Sequence, residues 1–321
     1  MERLDTFMAR ANSAFYATLD PYAEFTTAPE ISQVFGELLG AWAAEMWRAM
    51  GSPDPVALAE LGPGRGTLMT DALRAARGMP SFEAALRVHF VETSPRLRAL
   101  QARAVPTATW HDEVASLPDG PTIVLANEFF DALPIRQFIR SGETWTERYV
   151  SDGAALALPA DPPTDAPDGD VFETCEPARE IVALLAERMV RCGGAALIVD
   201  YGPGQSAAGD SLQALRDGAP ANPLDAPGSA DLTAHVDFAA LGRVARAAGA
   251  STYGPLPQGL FLARLGLYQR TGVLARTLPP TRAGAMTESA KRLAEPDRMG
   301  RLFKALAVCH PALSPPPGFE P

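Results

Sequence analysis

The chain has 321 residues, 47% of them hydrophobic and 21% charged, with a formal net charge of −10. That length holds one large α/β domain or a core with a smaller attachment, and the composition is that of an ordinary globular protein. The acidic balance excludes a nucleic-acid footprint of clustered Lys and Arg, and the strand-sized apolar runs exclude a membrane span.

Val34, Leu38, Trp42 and Met46 recur at helical spacing and predict an amphipathic helix over residues 31–50, closed by Gly51-Ser52-Pro53. A strand at 56–59, a glycine turn at 62–66 and a helix at 68–76 make the first α/β unit. A second strand covers 86–91, a helix 94–102 and a short third strand 107–110. The run Thr122-Ile123-Val124-Leu125-Ala126 is a fourth strand. Residues 151–170, rich in Ala, Pro, Asp and Gly, form a surface excursion before a helix at 177–191. The fifth strand spans 195–199, residues 203–230 are again Gly- and Pro-rich, and Asp237 caps a helix at 238–248. Segments at 252–253 and 261–263 are expected to close the sheet as an antiparallel hairpin, and the Pro-rich tail after Ser314 to be loose. Near-continuous hydrophobic strands alternating with helices imply an α/β fold with a mostly parallel sheet covered on both faces. The expected division is a helical segment at 1–50, a core at 51–275 with insertions at about 135–175 and 203–235, and an extension at 276–321.

The strongest chemical signal is Glu60-Leu61-Gly62-Pro63-Gly64-Arg65-Gly66-Thr67 between a strand and a helix. Gly62, Gly64 and Gly66 allow a sharp turn and close approach of a ligand to the backbone. A dinucleotide fingerprint needs its third glycine at Thr67, so that pattern fails by one residue. A pyrophosphate is also poorly served by Glu60. A ligand carrying a carboxylate, an ammonium and a sulfonium fits better: the helix N-terminus faces the carboxylate and Glu60 the ammonium. S-adenosylmethionine has all three groups. Glu92, ending the second strand, is placed to accept ribose hydroxyls, and Asp112, after the third, is a candidate for the adenine edge. The fourth strand exits through Asn127-Glu128-Phe129-Phe130-Asp131, where ligands of open parallel sheets bind. Asn127 is read as cofactor-binding, and Glu128 and Asp131 as catalytic. In Asp231-Leu232-Thr233-Ala234-His235-Val236-Asp237-Phe238, His235 is either a base or a satisfied loop histidine, and it is kept as a catalytic candidate. Cys175, Cys192 and Cys309 are scattered, and the four histidines form no HxxxH or HxH pair, so no disulfide framework or metal is expected.

These segments, with Phe25-Thr26-Thr27-Ala28-Pro29-Glu30-Ile31-Ser32, Val91-Glu92-Thr93-Ser94-Pro95 and Asp200-Tyr201-Gly202, resemble in their order the MidA-like family of methyltransferases. That family includes a mitochondrial complex I assembly factor that dimethylates an arginine. The resemblance runs from about residue 15 to about 305, with one departure. A glycine-containing stretch of the family is shortened here to Pro21-Tyr22-Ala23-Glu24. It implies a Rossmann-like methyltransferase fold, S-adenosylmethionine as methyl donor, a protein arginine as acceptor and a link to respiratory complex I. With no secretory or transit signal read in the sequence, a bacterial cytoplasmic protein, able to form a homodimer, is expected. Glu128 and Asp131 would then clamp the acceptor guanidinium by paired hydrogen bonds, with Phe129 or Phe130 walling the slot. The rival readings are a small-molecule O- or N-methyltransferase and an assembly factor that binds the cofactor without catalysis.

Overall fold

The computed structural model describes residues 1–19, 26–161 and 169–320. Phe25, the shortened stretch at 21–24 and residues 162–168 of the expected excursion lie outside them. The chain divides into a larger unit, Thr27–Glu128, Val182–Gly202 and Gly242–Pro321, and a smaller one, Met1–Thr26, Phe129–Ile181 and Pro203–Leu241.

The larger unit is built on seven strands: β1 Val56–Leu61, β2 Leu86–Val91, β3 Thr109–His111, β4 Thr122–Asn127, β5 Gly194–Tyr201, β6 Ser251–Pro257 and β7 Phe303–Cys309. Their order is β3-β2-β1-β4-β5-β7-β6. Neighbours from β3 to β5 are parallel, while β7 runs antiparallel to both β5 and β6. Every residue of β1 and β4 is buried, as strands covered on both faces require. On one face Leu58, Phe90, Ile123, Leu125 and Leu197 join Phe35, Leu39, Trp42 and Met46 of helix Gln33–Ala49. That helix packs closely on helix Thr67–Ala76. A Cβ at Gly36 would stand 2.6 Å from Asp71 Cβ, and one at Gly40 would stand 2.5 Å from the Ala72 carbonyl oxygen. The helix expected over residues 31–50 runs over Gln33–Ala49, and a separate short helix, Ala28–Ile31, ends before Ser32, whose hydroxyl accepts the Val34 N–H at 3.3 Å.

Three expectations about the C-terminal third are corrected. β6 does close the sheet antiparallel, but its partner β7 lies beyond four helices, so there is no hairpin. Residues 261–263 belong to helix Gln258–Arg264, where Phe261 and Leu262 are fully buried. A short apolar run does not separate a strand from one face of a buried helix. The tail is packed: the Phe319 ring lies 5.1 Å from that of Phe261 and is 8% exposed.

The smaller unit holds helix Leu4–Thr18 and a five-stranded antiparallel sheet from Glu2–Arg3, Arg136–Ser141, Thr144–Ser151, Ala154–Pro159 and Val171–Thr174. A three-stranded sheet from Gln213–Arg216, Ala219–Ala221 and Asp231–Thr233 completes it. Regular structure thus resumes at Val171, before the helix at Glu176–Cys192, and two strands occupy the segment expected to be irregular. Leu4, Phe7, Met8, Ile135, Val150 and Leu232 form its core. Asn12 pins the layers: its amide donates to the Leu232 and Ala132 carbonyls at 2.8 and 3.0 Å and accepts the Leu232 N–H at 3.0 Å.

Candidate functional site

The carboxyl ends of β1 and β4 lie side by side, with Leu61 opposite Ala126. The chain leaves β1 toward β2 and β3 and returns to place β4 on the other side. This is the topological switch point, where an open α/β sheet leaves a crevice for ligand. Gly62, Gly64 and Gly66 all take positive φ, 60°, 55° and 81°, and turn the chain into helix Thr67–Ala76. Gly66 is the N-cap and brings no capping side chain. Glu60, at the end of β1, is 3% exposed, and the Met69 N–H in the first turn of that helix draws its pKa down against burial. Its Oε2 has no hydrogen-bond partner among the described residues, and burial pushes its pKa up to about 8.

Glu92, after β2, has both carboxylate oxygens hydrogen-bonded, and each keeps a lone pair for a further donor. Its Oε1 accepts the Ser94 N–H at 2.8 Å and its Oε2 the Gln101 amide at 3.2 Å. Burial raises its pKa against the pull of those donors and of Arg98. Gln101 is completely buried and bonded at both ends: Nε2 also donates to the Gly64 carbonyl at 2.8 Å, and Oε1 accepts the Trp110 indole N–H at 2.8 Å. One amide thus braces the glycine turn against Glu92. Sequence reasoning missed Gln101, although the signal was present. It is a polar residue four places after Leu97 on the buried stripe of helix Pro95–Ala104. Asp112 turns to Arg98 at 2.7 Å and is 82% exposed, so the structure does not bring it to the Glu60–Gln101 group.

At the end of β4, Asn127 is 8% exposed, donates to Glu128 Oε1 at 3.1 Å, and has an Oδ1 without a partner among the described residues. Glu128 sits at φ 49°, an uncommon conformation for a residue with a Cβ. Its N–H donates to the Val199 carbonyl at 2.9 Å, and its Oε1 accepts the Ala28 N–H at 2.9 Å. Ala28 opens the short helix Ala28–Ile31, whose Glu30 accepts the Thr67 hydroxyl at 2.5 Å. Carboxylates therefore tie this helix both to the β4 exit and to the helix after the glycine turn.

Asp131 and His235 belong to the smaller unit. Asp131 is 7% exposed and its carbonyl accepts the Ala234 N–H at 2.9 Å. Phe129 and Phe130 meet edge to face at 5.2 Å, with Phe130 buried. His235 is exposed, and its backbone N–H donates to the Ser211 hydroxyl at 2.8 Å. Asp237 caps helix Phe238–Ala247 as expected, accepting the Ala240 N–H at 2.9 Å. Among the described residues, no group of three His, Cys, Asp or Glu could hold a metal ion, and no helix is long and apolar enough to cross a membrane.

A parallel sheet with one reversed strand, a glycine turn at its switch point, a buried acid on β1 and a partly buried acid just after β2 define a Rossmann-like S-adenosylmethionine-dependent methyltransferase. The family model of S-adenosyl-L-methionine-dependent methyltransferases matches residues 38–256. The chain belongs to this MidA-like family. It is similar to the mitochondrial protein arginine methyltransferase NDUFAF7 homolog of Drosophila melanogaster, with 35% identity covering 96% of this chain and 80% of that one. To NDUFAF7 of Homo sapiens it is 33% identical, over 96% of this chain and 78% of that one. A crystal structure of a likely methyl transferase from Burkholderia thailandensis, bound to S-adenosyl-homocysteine, shares the fold. Its TM-score is 0.78 at 22% identity, covering 99% of this chain and 88% of that one. The residues at the switch point fit the cofactor. The unpartnered buried oxygens of Glu60 and Asn127 are acceptors for an ammonium or a hydroxyl, and the glycine turn presents N–H groups to a carboxylate.

Proposed function

We propose that this methyltransferase modifies arginine in a protein acceptor, with the link to respiratory complex I that its family resemblance implies. Glu60 takes the ammonium of the cofactor, the N–H groups at the start of helix Thr67–Ala76 its carboxylate, and Glu92 its ribose, while Asn127 offers Oδ1 to the same ligand. The bound cofactor supplies an electrophilic methyl on a sulfonium. The remaining work is alignment: a near-attack pose of donor and acceptor is worth roughly 7–11 kcal/mol.

The observation that carries the acceptor reading is Glu128. It holds a carboxylate at the switch point in a backbone conformation that a non-glycine residue rarely adopts, the kind of local cost that persists where function requires it. A guanidinium is a planar cation that carboxylates bind in pairs, which leaves one nitrogen to face the methyl. Glu128 supplies one such carboxylate. Identity of 33–35% to protein arginine methyltransferases over 96% of the chain supports the reading. The test is to incubate cell extract with the purified enzyme and methyl-labelled S-adenosylmethionine, then locate the label by mass spectrometry. Methylarginine in a protein is expected. Label confined to small molecules would replace this reading with a small-molecule methyltransferase.

A further inference from the structure

Charge is spread unevenly along this chain. Residues 258–304 hold nine Lys or Arg and three acids, a net +6 in a chain of net −10, which leaves −16 for the rest. They form helices Gln258–Arg264, Leu267–Ala275, Pro280–Ala294 and Met299–Leu302, all in the larger unit, with the third packed against the other three. Two of the three acids are already paired, Glu288 with Lys291 at 2.7 Å and Glu295 with Arg298 at 3.7 Å. Arg276, Arg282, Arg292 and Arg301 are exposed and form no ion pair among the described residues. The same helices carry four of the eight large apolar side chains exposed among the described residues. These are Leu260, Tyr268, Val273 and Leu302, each 44–52% exposed. On helix Leu267–Ala275, Leu267 and Thr271 are buried, and Val273 stands beside Arg276 on the solvent side at i, i+3. Arg282 follows in the first turn of the next helix.

Single exposed apolar residues are ordinary. Their concentration among unpaired arginines, on one helical segment of an acidic chain, calls for an anionic partner. The layout selects its kind. A folded protein partner is gripped by anchors seated in pockets. Here the apolar side chains stand singly among guanidinium groups. That arrangement suits the headgroup layer of a bilayer, where apolar tips enter the acyl boundary and cations meet lipid phosphate. We infer that this helical face docks on an anionic phospholipid membrane as a peripheral contact, without a span. Repulsion of the remaining −16 turns this face toward the lipid. The inference is independent of which molecule accepts the methyl group.

The test is co-sedimentation of the full chain with phosphatidylcholine vesicles containing roughly one-third phosphatidylglycerol, against vesicles of phosphatidylcholine alone. The parent should bind the anionic vesicles and not the neutral ones, and high salt should release it. The double variant Arg276→Gln/Arg282→Gln should weaken the partition about 25-fold, about 5-fold for each positive charge removed near the surface. Val273→Ser should weaken it about 3-fold, the share of a valine that is already half-buried. These side chains are exposed, so Tm and the affinity for S-adenosylhomocysteine should match those of the parent in every variant. No binding to anionic vesicles at low salt overturns the inference. Binding that neutral vesicles match, or that the arginine variant leaves unchanged, overturns it as well. Retention on immobilised polyglutamate that the arginine variant loses, with no vesicle binding, would give the face to an acidic protein instead.

Discussion

The two units differ in what their buried amides hold. In the larger one, Gln101 spends its amide on the Gly64 carbonyl, Glu92 and Trp110, so the turn and the acid are fixed before any ligand arrives. In the smaller one, Asn12 spends its amide on Leu232 and Ala132, and so fixes the fold itself. Preorganisation lowers the cost of binding. A site for one invariant cofactor can therefore be rigid. The difference predicts that substitutions around the glycine turn act on the cofactor, whereas substitutions at Asn12 act on stability.

Glu128→Gln probes the sharpest case. Glutamine keeps an Oε1 able to accept the Ala28 N–H, so the short helix and the cofactor affinity should survive. Turnover should fall by about 10²–10³-fold, the usual cost of losing one group that stabilises charge in the transition state. An equal loss of cofactor affinity, read by calorimetry, would move Glu128 into the cofactor shell.

Glu60→Gln should weaken S-adenosylmethionine binding about 10- to 100-fold, since it removes the charged partner of the ammonium. It should also change stability with pH. Below the ordinary carboxyl value of 4.5 Glu60 is protonated whether the chain is folded or not. Between 4.5 and about 8 the unfolded chain ionises while the folded one keeps its proton, so stability falls as pH rises and levels off above about 8. At pH 9 the ligand-free Gln variant should exceed the parent by about 5 kcal/mol in denaturant unfolding. Equal stability there would show that Glu60 is solvated.

Gln101→Leu should raise the cofactor Kd about 10-fold and leave kcat at saturation intact. Gln101→Glu should do more harm, because it sets a second carboxylate against Glu92. If both variants bind cofactor normally, the brace is structural only.

The smallest effect concerns His89, whose Nδ1 lies 2.9 Å from His111 Nε2. Burial, and then the neighbouring His111 and Arg188, lower its pKa from 6.5 to about 4. The folded state holds it neutral, so its contribution is complete above pH 6.5 and is lost as pH falls toward 4. His89→Phe should flatten the acid limb of the stability curve by about 1–2 kcal/mol after solvent screening.

What could be read from the sequence follows the same division. β1, β4 and β5 are buried on both faces and appear as apolar runs that turn polar near their carboxyl ends, at Glu60, Asn127 and Asp200. The glycine turn and the Asp237 cap announce themselves through residue types with few other uses. The antiparallel strands were illegible: Ala154–Pro159 is exposed along most of its length and lacks alternation, and Arg136–Ser141 is two-thirds charged or polar on both faces. Spacing marks Gln101 only as a polar residue on the buried stripe of its helix, because its partners, the Gly64 carbonyl, Glu92 and Trp110, are fixed by the fold. The left-handed turn at Glu128 escaped for a similar reason, since no residue type favours it there.

The most direct test is calorimetric titration of S-adenosylhomocysteine into the parent protein and Glu60→Gln at pH 7, in buffers of different ionisation enthalpy. The bound ammonium should force Glu60 to give up its proton, so the parent should release protons on binding, while the Gln variant binds more weakly and releases none. The same affinity and proton count in both proteins would contradict the assignment of Glu60 to the amino-acid end of the cofactor.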